Sequence, residues 1–114
     1  ALNIELDFWE SIGKPVMFSE YGADTIEGVH GTHGEMFSEE FQRDYYARID
    51  AEIDKRPWFI GEQLWNFADF ATFQGIIRVE GNRKGILTRD RQPKMAAHWL
   101  RDRWAGIPDY GYKN

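Results

Sequence analysis

Two stretches of this chain read as strands, and two are too few to close a sheet of the kind they imply. The first is Lys14 to Glu20 in "KPVMFSE". The second is the apolar run "WFIGEQLWNF", Trp58 to Phe67. Between them lies a segment of helical period, so the order is strand, crossover helix, strand, which makes the two strands parallel. Parallel sheets are buried under helices on both faces and need several neighbouring strands. An α/β architecture is therefore expected, with this chain as a piece of a larger domain.

The helices carry their own punctuation. "ALNIELDFWESIG" places Leu2, Leu6 and Trp9 at helical spacing, with Gly13 as the stop. It opens inside a helix and without an initiator Met, so the chain is expected to be cut from a longer one. Ser38 is the predicted N-cap of a second helix, with Glu39 and Glu40 in its first turn. Phe41, Tyr45, Ile49 and Ile53 form its predicted core stripe, and Lys55, Arg56 and Pro57 end it. A third helix is predicted from Pro93 to Trp104, with Ala97, Leu100 and Trp104 on one side and Gly106 and Pro108 after it. A long loop follows each strand, one over 22–37 with His30 and His33, the other over 71–92. Loops after strands are where α/β barrels keep their chemistry.

Composition narrows the function classes. The net charge is −5, with acids and bases interspersed, which leaves no basic field for nucleic acid. No apolar run approaches a membrane span. The chain has no cysteine, which excludes disulfides and thiolate metal ligands. His30, His33 and His98 match no zinc spacing, so no metal is expected.

Three constellations carry possible chemistry. Glu20 sits where the first strand meets "YG", a position that in a barrel points into the active site; its plain structural reading is an acid paired to an arginine or capping a turn. In "GEQLWNFADF" (61–70), Trp65 reads either as core or as a flat platform for a sugar ring. Asn66 and Asp69 fall where that strand gives way to loop. In "RVEGNRKG", Arg78, Asn82 and Lys84 crowd a glycine-flanked turn. They are either solvated hairpin charges or a clamp for one carboxylate, since Arg and Lys supply charge-assisted donors and Asn a neutral one.

Taken together, "SEYGADT", "MFSEEFQ", "GEQLWNFADF", "GNRKGILTRDRQPK" and "AAHWL" resemble, in order and spacing, the C-terminal part of the β-glucuronidases of glycoside hydrolase family 2. The resemblance runs from Lys14 to about Trp104. It implies a (β/α)8 TIM barrel, with residues 1–104 supplying about its last two βα units and 105–114 a C-terminal tail. It implies a retaining hydrolase with no cofactor or metal. Glu20 would be the nucleophile, with the Tyr21 hydroxyl either hydrogen-bonding it or serving the core. Asn82 and Lys84 would hold the C6 carboxylate of the substrate with Arg78 nearby, and Trp65 would pack along the sugar. The implied partners are a small-molecule or oligosaccharide glucuronide, the rest of the catalytic chain, and further copies in a homo-oligomer, with no nucleic acid or membrane. The resemblance points to a bacterial cytoplasmic or a secreted fungal setting without choosing between them. The acid/base Glu of such enzymes lies in an Asn-Glu pair, which these 114 residues do not contain. The alternatives are a family 2 enzyme for neutral sugars (β-galactosidase or β-mannosidase) or a non-catalytic carbohydrate-binding or structural piece.

Overall fold

Gly13 adopts the left-handed conformation (φ 69°) and returns its amide to the Glu10 carbonyl, which stops the first helix where the sequence predicts. In the computed structural model, which describes residues 1–78 and 80–108, the elements run α1 (Leu2–Ile12), β1 (Val16–Tyr21), α2 (Glu39–Ile53), β2 (Phe59–Leu64) and α3 (Met95–Ala105). The number, order and kind of elements agree with the expectation. Of the predicted tail 105–114, Ala105 closes α3, and 109–114 lie outside the described residues.

β1 and β2 pair in parallel, the arrangement the crossover helix requires. The pairing has two irregularities that cancel. Val16 faces Phe59 while Met17 faces Gly61, which sets one extra residue in β2. Phe18 faces Glu62 while Tyr21 faces Leu64, which sets one extra residue in β1. The second bulge matters for function. Phe18 and Tyr21 are three residues apart, yet their rings touch (5.3 Å between centroids), and both pack into the core. Strict alternation would send them to opposite faces. The extra residue lets both turn inward, and it leaves Ser19 and Glu20 between them exposed.

The core lies between this sheet face and helices α2 and α3. Tyr21, Tyr46, Ala96 and Leu100 are its buried centre, with Tyr45, Ile49, Leu64 and Trp99 around it. Ser38 caps α2, its hydroxyl accepting from the Phe41 amide at 3.1 Å, as predicted. The predicted stripe of α2 is rotated by one position. Its most buried residues are Glu39, Gln42, Tyr46, Asp50 and Ile53; Phe41, Tyr45 and Ile49 are only half-buried. In α3, likewise, Ala96 and Leu100 are buried, and Trp104 is 43% exposed. The rotation has a physical cause: the inward face of α2 carries polar side chains that find partners there. Gln42 donates to the carbonyls of Ala23 and Gly85, and Asp50 accepts from the Tyr21 hydroxyl at 3.0 Å. Arg103 of α3 reaches Asp50 at 3.0 Å, Asp54 at 2.8 Å and Glu62 at 3.1 Å, and the Trp104 indole also donates to Glu62. Burial, reinforced by the Glu62 carboxylate, pushes the Asp50 carboxyl up to about 6 despite that arginine.

The other sheet face and α1 are uncovered. Met17 and Ile60 project from the sheet at 44% and 68% exposure, and Ile4, Phe8, Trp9 and Ile12 line α1; of the predicted α1 stripe, only Leu6 is buried. A solvated apolar surface of this extent, on a two-stranded parallel sheet, favours association. The isolated 114-residue chain is expected to aggregate or remain partly molten, with broad near-ultraviolet and amide signals. A sharp cooperative melt of a monomer would contradict the partial-barrel architecture.

Candidate active site

The site is built at the C-terminal ends of β1 and β2 from the loops that leave them. Glu20 is exposed at the end of β1, on the face away from the helices. Tyr21, its neighbour, takes the opposite course. It is 8% exposed, and its hydroxyl donates to Asp50 inside the core, where burial and that carboxylate hold the phenol protonated well above its ordinary range. The structure thus does not bring the Tyr21 hydroxyl to Glu20, and of its two roles left open by the sequence it occupies the core one.

Trp65 is set beside the end of β1 by backbone alone. Its amide donates to the Tyr21 carbonyl at 2.9 Å, and a Cβ at position 22 would lie 2.0 Å from its own carbonyl oxygen, so Gly22 is what permits the approach. Trp65 is 39% exposed, and its ring meets Phe70 edge-on at 6.2 Å. The next amide, Asn66, donates to the Lys84 carbonyl at 3.1 Å. Two consecutive amides therefore tie the "RVEGNRKG" segment to the strand end that carries Glu20.

Asn82 pairs backbone to backbone with Phe70, at 2.8 and 3.2 Å, and is buried. Its side-chain oxygen accepts from the Lys84 amide at 3.0 Å, a local turn that Asn makes readily. The turn sends the Lys84 ammonium to Asp24, just beyond the "EYG" of β1, and the Arg78 guanidinium lies 3.7 Å from the same carboxylate oxygen. The other oxygen of Asp24 accepts from the Arg83 amide at 3.3 Å. Arg78 and Lys84 thus converge on an acid that the sequence did not single out, and Asn82 joins them through the Lys84 amide.

Beneath the clamp is a buried ion pair. Lys94 is 1% exposed and Asp69 4%. The Lys94 ammonium donates to Asp69 at 2.9 Å, to the Thr25 carbonyl at 3.1 Å and to the Arg83 carbonyl at 3.3 Å. Asp69 also accepts from the Gly85 amide at 3.0 Å, and a Cβ on Gly85 would collide with the Asp69 nitrogen at 2.2 Å. One sequence signal points to Lys94: it occupies the N-cap of α3, a position that favours Ser, Thr, Asp or Asn. The capping task falls to Glu39 of α2, whose carboxylate accepts from the Met95 and Gly28 amides, both at 2.8 Å. Elsewhere, a cleft of about 1350 Å³ opens beside the start of β2, lined by Arg56, Phe59, Trp99 and Arg103. It contains none of the candidate site residues Glu20, Tyr21, Trp65, Arg78, Asn82 and Lys84. Among the described residues no cluster of His, Asp and Glu is arranged to hold a metal.

Two parallel strands joined by a crossover helix, with an exposed acid, an aromatic and basic side chains gathered at their C-terminal ends, have the architecture of a portion of an α/β barrel. The model for glycosyl hydrolases family 2, TIM barrel domain, matches residues 2–108, and the chain belongs to that family. It is 49% identical over 110 residues to the β-glucuronidase of Paenibacillus borealis, covering 96% of this chain and 18% of that protein. Among solved structures it is similar to Bifidobacterium dentium β-glucuronidase complexed with coumarin-3-O-glucuronide, at 95% identity and a TM-score of 0.92, covering 97% of this chain and 18% of that one. It is also similar to the Faecalibacterium prausnitzii β-glucuronidase, at 63% identity and a TM-score of 0.92, covering 97% and 19%. The chain thus spans about a fifth of the length of the proteins it matches.

Removing one member of a buried ion pair leaves the other charge unsatisfied, at a cost of about 3–5 kcal/mol. Lys94→Met in the full-length enzyme is expected to lower its thermal transition and expose the 82–94 segment to protease. Asp69→Asn combined with Lys94→Met should be milder than Lys94→Met alone, because no bare charge then stays buried. An unchanged melt for Lys94→Met would remove the pair from its structural role.

Proposed function

We propose that the enzyme carrying this chain is a retaining exo-β-glucuronidase that removes terminal β-linked glucuronic acid from conjugates or oligosaccharides. The observation that carries this reading is the convergence of Arg78, Asn82 and Lys84 beside the strand end that bears Glu20. A sugar with a neutral C6 hydroxymethyl group gives two cations nothing to bind, whereas a uronic acid presents one carboxylate to them. The β-glucuronidases among its relatives support the same reading.

In this reading Glu20 attacks the anomeric carbon as a carboxylate. The C–O bond to the aglycone breaks as the ester to Glu20 forms. The leaving oxygen takes its proton from an acid/base carboxyl roughly 5 Å away, supplied by residues beyond these 114. The same group then deprotonates a water, which hydrolyses the ester with net retention. Trp65 offers its exposed ring to a sugar face. The bulge before Tyr21 is what frees Glu20 for this role, because it lets the core take the tyrosine without taking the acid.

Two substitutions test the assignment. Glu20→Gln preserves size and removes the attacking charge, so turnover of a nitrophenyl β-glucuronide should nearly vanish in a folded enzyme. A mechanism-based fluorosugar should label Glu20, and label on another carboxylate would overturn the role. The second is Lys84→Ala, which leaves the substrate carboxylate and Asp24 facing each other with Arg78 alone between them. A loss of about 3–5 kcal/mol is expected, or about two to four powers of ten in kcat/KM. The ratio of glucuronide to glucoside cleavage should fall by a comparable factor. Equal losses on the two sugars would point to a misfolded turn and remove the main support for a uronic acid substrate.

A further inference from the structure

We infer that Asp24 is a positioning residue for the sugar carboxylate: it aims the Lys84 ammonium and sets the charge of the clamp to match one monoanion. The inference rests on the glucuronidase reading and extends it to a residue that touches the clamp.

The geometry gives Asp24 two separate jobs for its two oxygens. Oδ1 accepts from the Arg83 amide at 3.3 Å, which fixes the plane of the carboxylate against the turn. Oδ2 accepts from Lys84 Nζ and lies 3.7 Å from Arg78. Asp24 and Lys84 are equally and only partly exposed, at 23% of each side chain, so the pair stands at the lip of the site rather than out in solvent. A lysine ammonium sits on a flexible four-carbon stem and must be held if it is to act as a fixed point of recognition. Asp24 uses one of its three N–H groups and leaves two for a ligand.

Charge makes the second point. Lys84 and Arg78 together carry two positive charges, and Asp24 removes one. Arg83, which stands between them in sequence, turns its guanidinium to Glu80 at 3.2 Å and to Asp69 at 3.7 Å, away from this group. The clamp thus presents a net charge of about +1, suited to a carboxylate and undercharged for a phosphate or sulfate ester dianion. An acid inside an anion site looks counterproductive, and that opposite view makes a clear contrary forecast. Were Asp24 only a competing anion, its neutralisation would tighten binding of a glucuronide.

The test uses the full-length enzyme with nitrophenyl β-glucuronide and nitrophenyl β-glucoside. Asp24→Asn keeps the acceptor for the Arg83 amide and removes the charge that holds Lys84. We expect kcat/KM on the glucuronide to fall 10- to 100-fold, chiefly through a higher KM, and the ratio of glucuronide to glucoside to fall at least 10-fold. In a Lys84→Met background, Asp24→Asn should cost less than 3-fold further, because the group it positions is gone. Asp24→Glu keeps the charge and should retain more of the glucuronide activity than Asp24→Asn; it also serves if the Asn variant does not fold. An unchanged or lower KM for Asp24→Asn, equal losses on both sugars, or a loss for Asp24→Glu as large as that for Asn would each overturn the inference. An unaltered enzyme with no turnover of the glucuronide would overturn the glucuronidase reading first, and this inference with it. Normal turnover, with a Lys84→Met defect and a silent Asp24→Asn, would overturn this inference alone.

Discussion

The loops that make up the candidate site have almost no regular structure to hold them, and one buried ammonium takes over that task. Lys94 spends its three donors on three different segments: Asp69 after β2, Thr25 after β1, and Arg83 in the clamp turn. An unpaired lysine at this depth would be ruinous, and a lysine satisfied at all three donors is a rigid junction. Backbone bonds then complete the lattice, from Thr25 to Arg83, Asn66 to Lys84 and Asp69 to Leu87. The site is therefore rigid because of the polar groups under it, whereas the hydrophobic core of Tyr21, Tyr46, Ala96 and Leu100 lies on the helix side of the sheet.

The same division of labour appears within two residues of β1. Glu20 and Tyr21 are neighbours, and the bulge assigns one to each side of the sheet. Tyr21 anchors the strand to α2 through Asp50, and Asp50 in turn engages Arg103 of α3. Any tilt of α2 or α3 that strained this buried chain would move the strand end, and with it the exposed acid. A carboxylate proposed as a nucleophile gains from such a base: its orientation is set by packing on the far face, and no hydrogen bond need restrain its reactive oxygens.

Helix and strand order was legible in the sequence because Gly13, Ser38 and Pro57 state it in local chemistry. The inward faces were less so. A hydrophobic period places Phe41, Tyr45 and Ile49 against the core, but the structure buries Gln42, Tyr46 and Asp50, since the Gln42 and Asp50 side chains find hydrogen-bond partners there and Tyr46 adds an aromatic ring to the core. Of the candidate site, Glu20, Trp65, Arg78, Asn82 and Lys84 were legible from residue type and resemblance, and the structure gathers the last three. Asp24 was not, and Lys94 only through its unusual place at a helix N-cap. Their importance arises from contacts made across 60 and 69 residues of sequence, which no spacing rule encodes. Tyr21 was ambiguous for the same reason, because which way a strand residue faces next to a bulge depends on register with a partner strand.

On the proposed reading, this arrangement separates two kinds of specificity. The acid that attacks the sugar and the cations that recognise its carboxylate belong to one stretch of chain, from Glu20 to Lys84, joined by hydrogen bonds between Tyr21 and Trp65 and between Asn66 and Lys84. The spacing between the anomeric carbon and the C6 carboxylate is a fixed property of the sugar, so a rigid local frame suits its recognition. The leaving group is different. It varies from one conjugate to another, and its proton comes from a carboxyl outside this stretch. Changes in the distant part of the barrel can then alter which aglycones are accepted without disturbing the frame that identifies the sugar. The buried Lys94 junction is what makes this separation physically possible, because it fixes the clamp to the strand end from below and leaves the upper face open to the substrate.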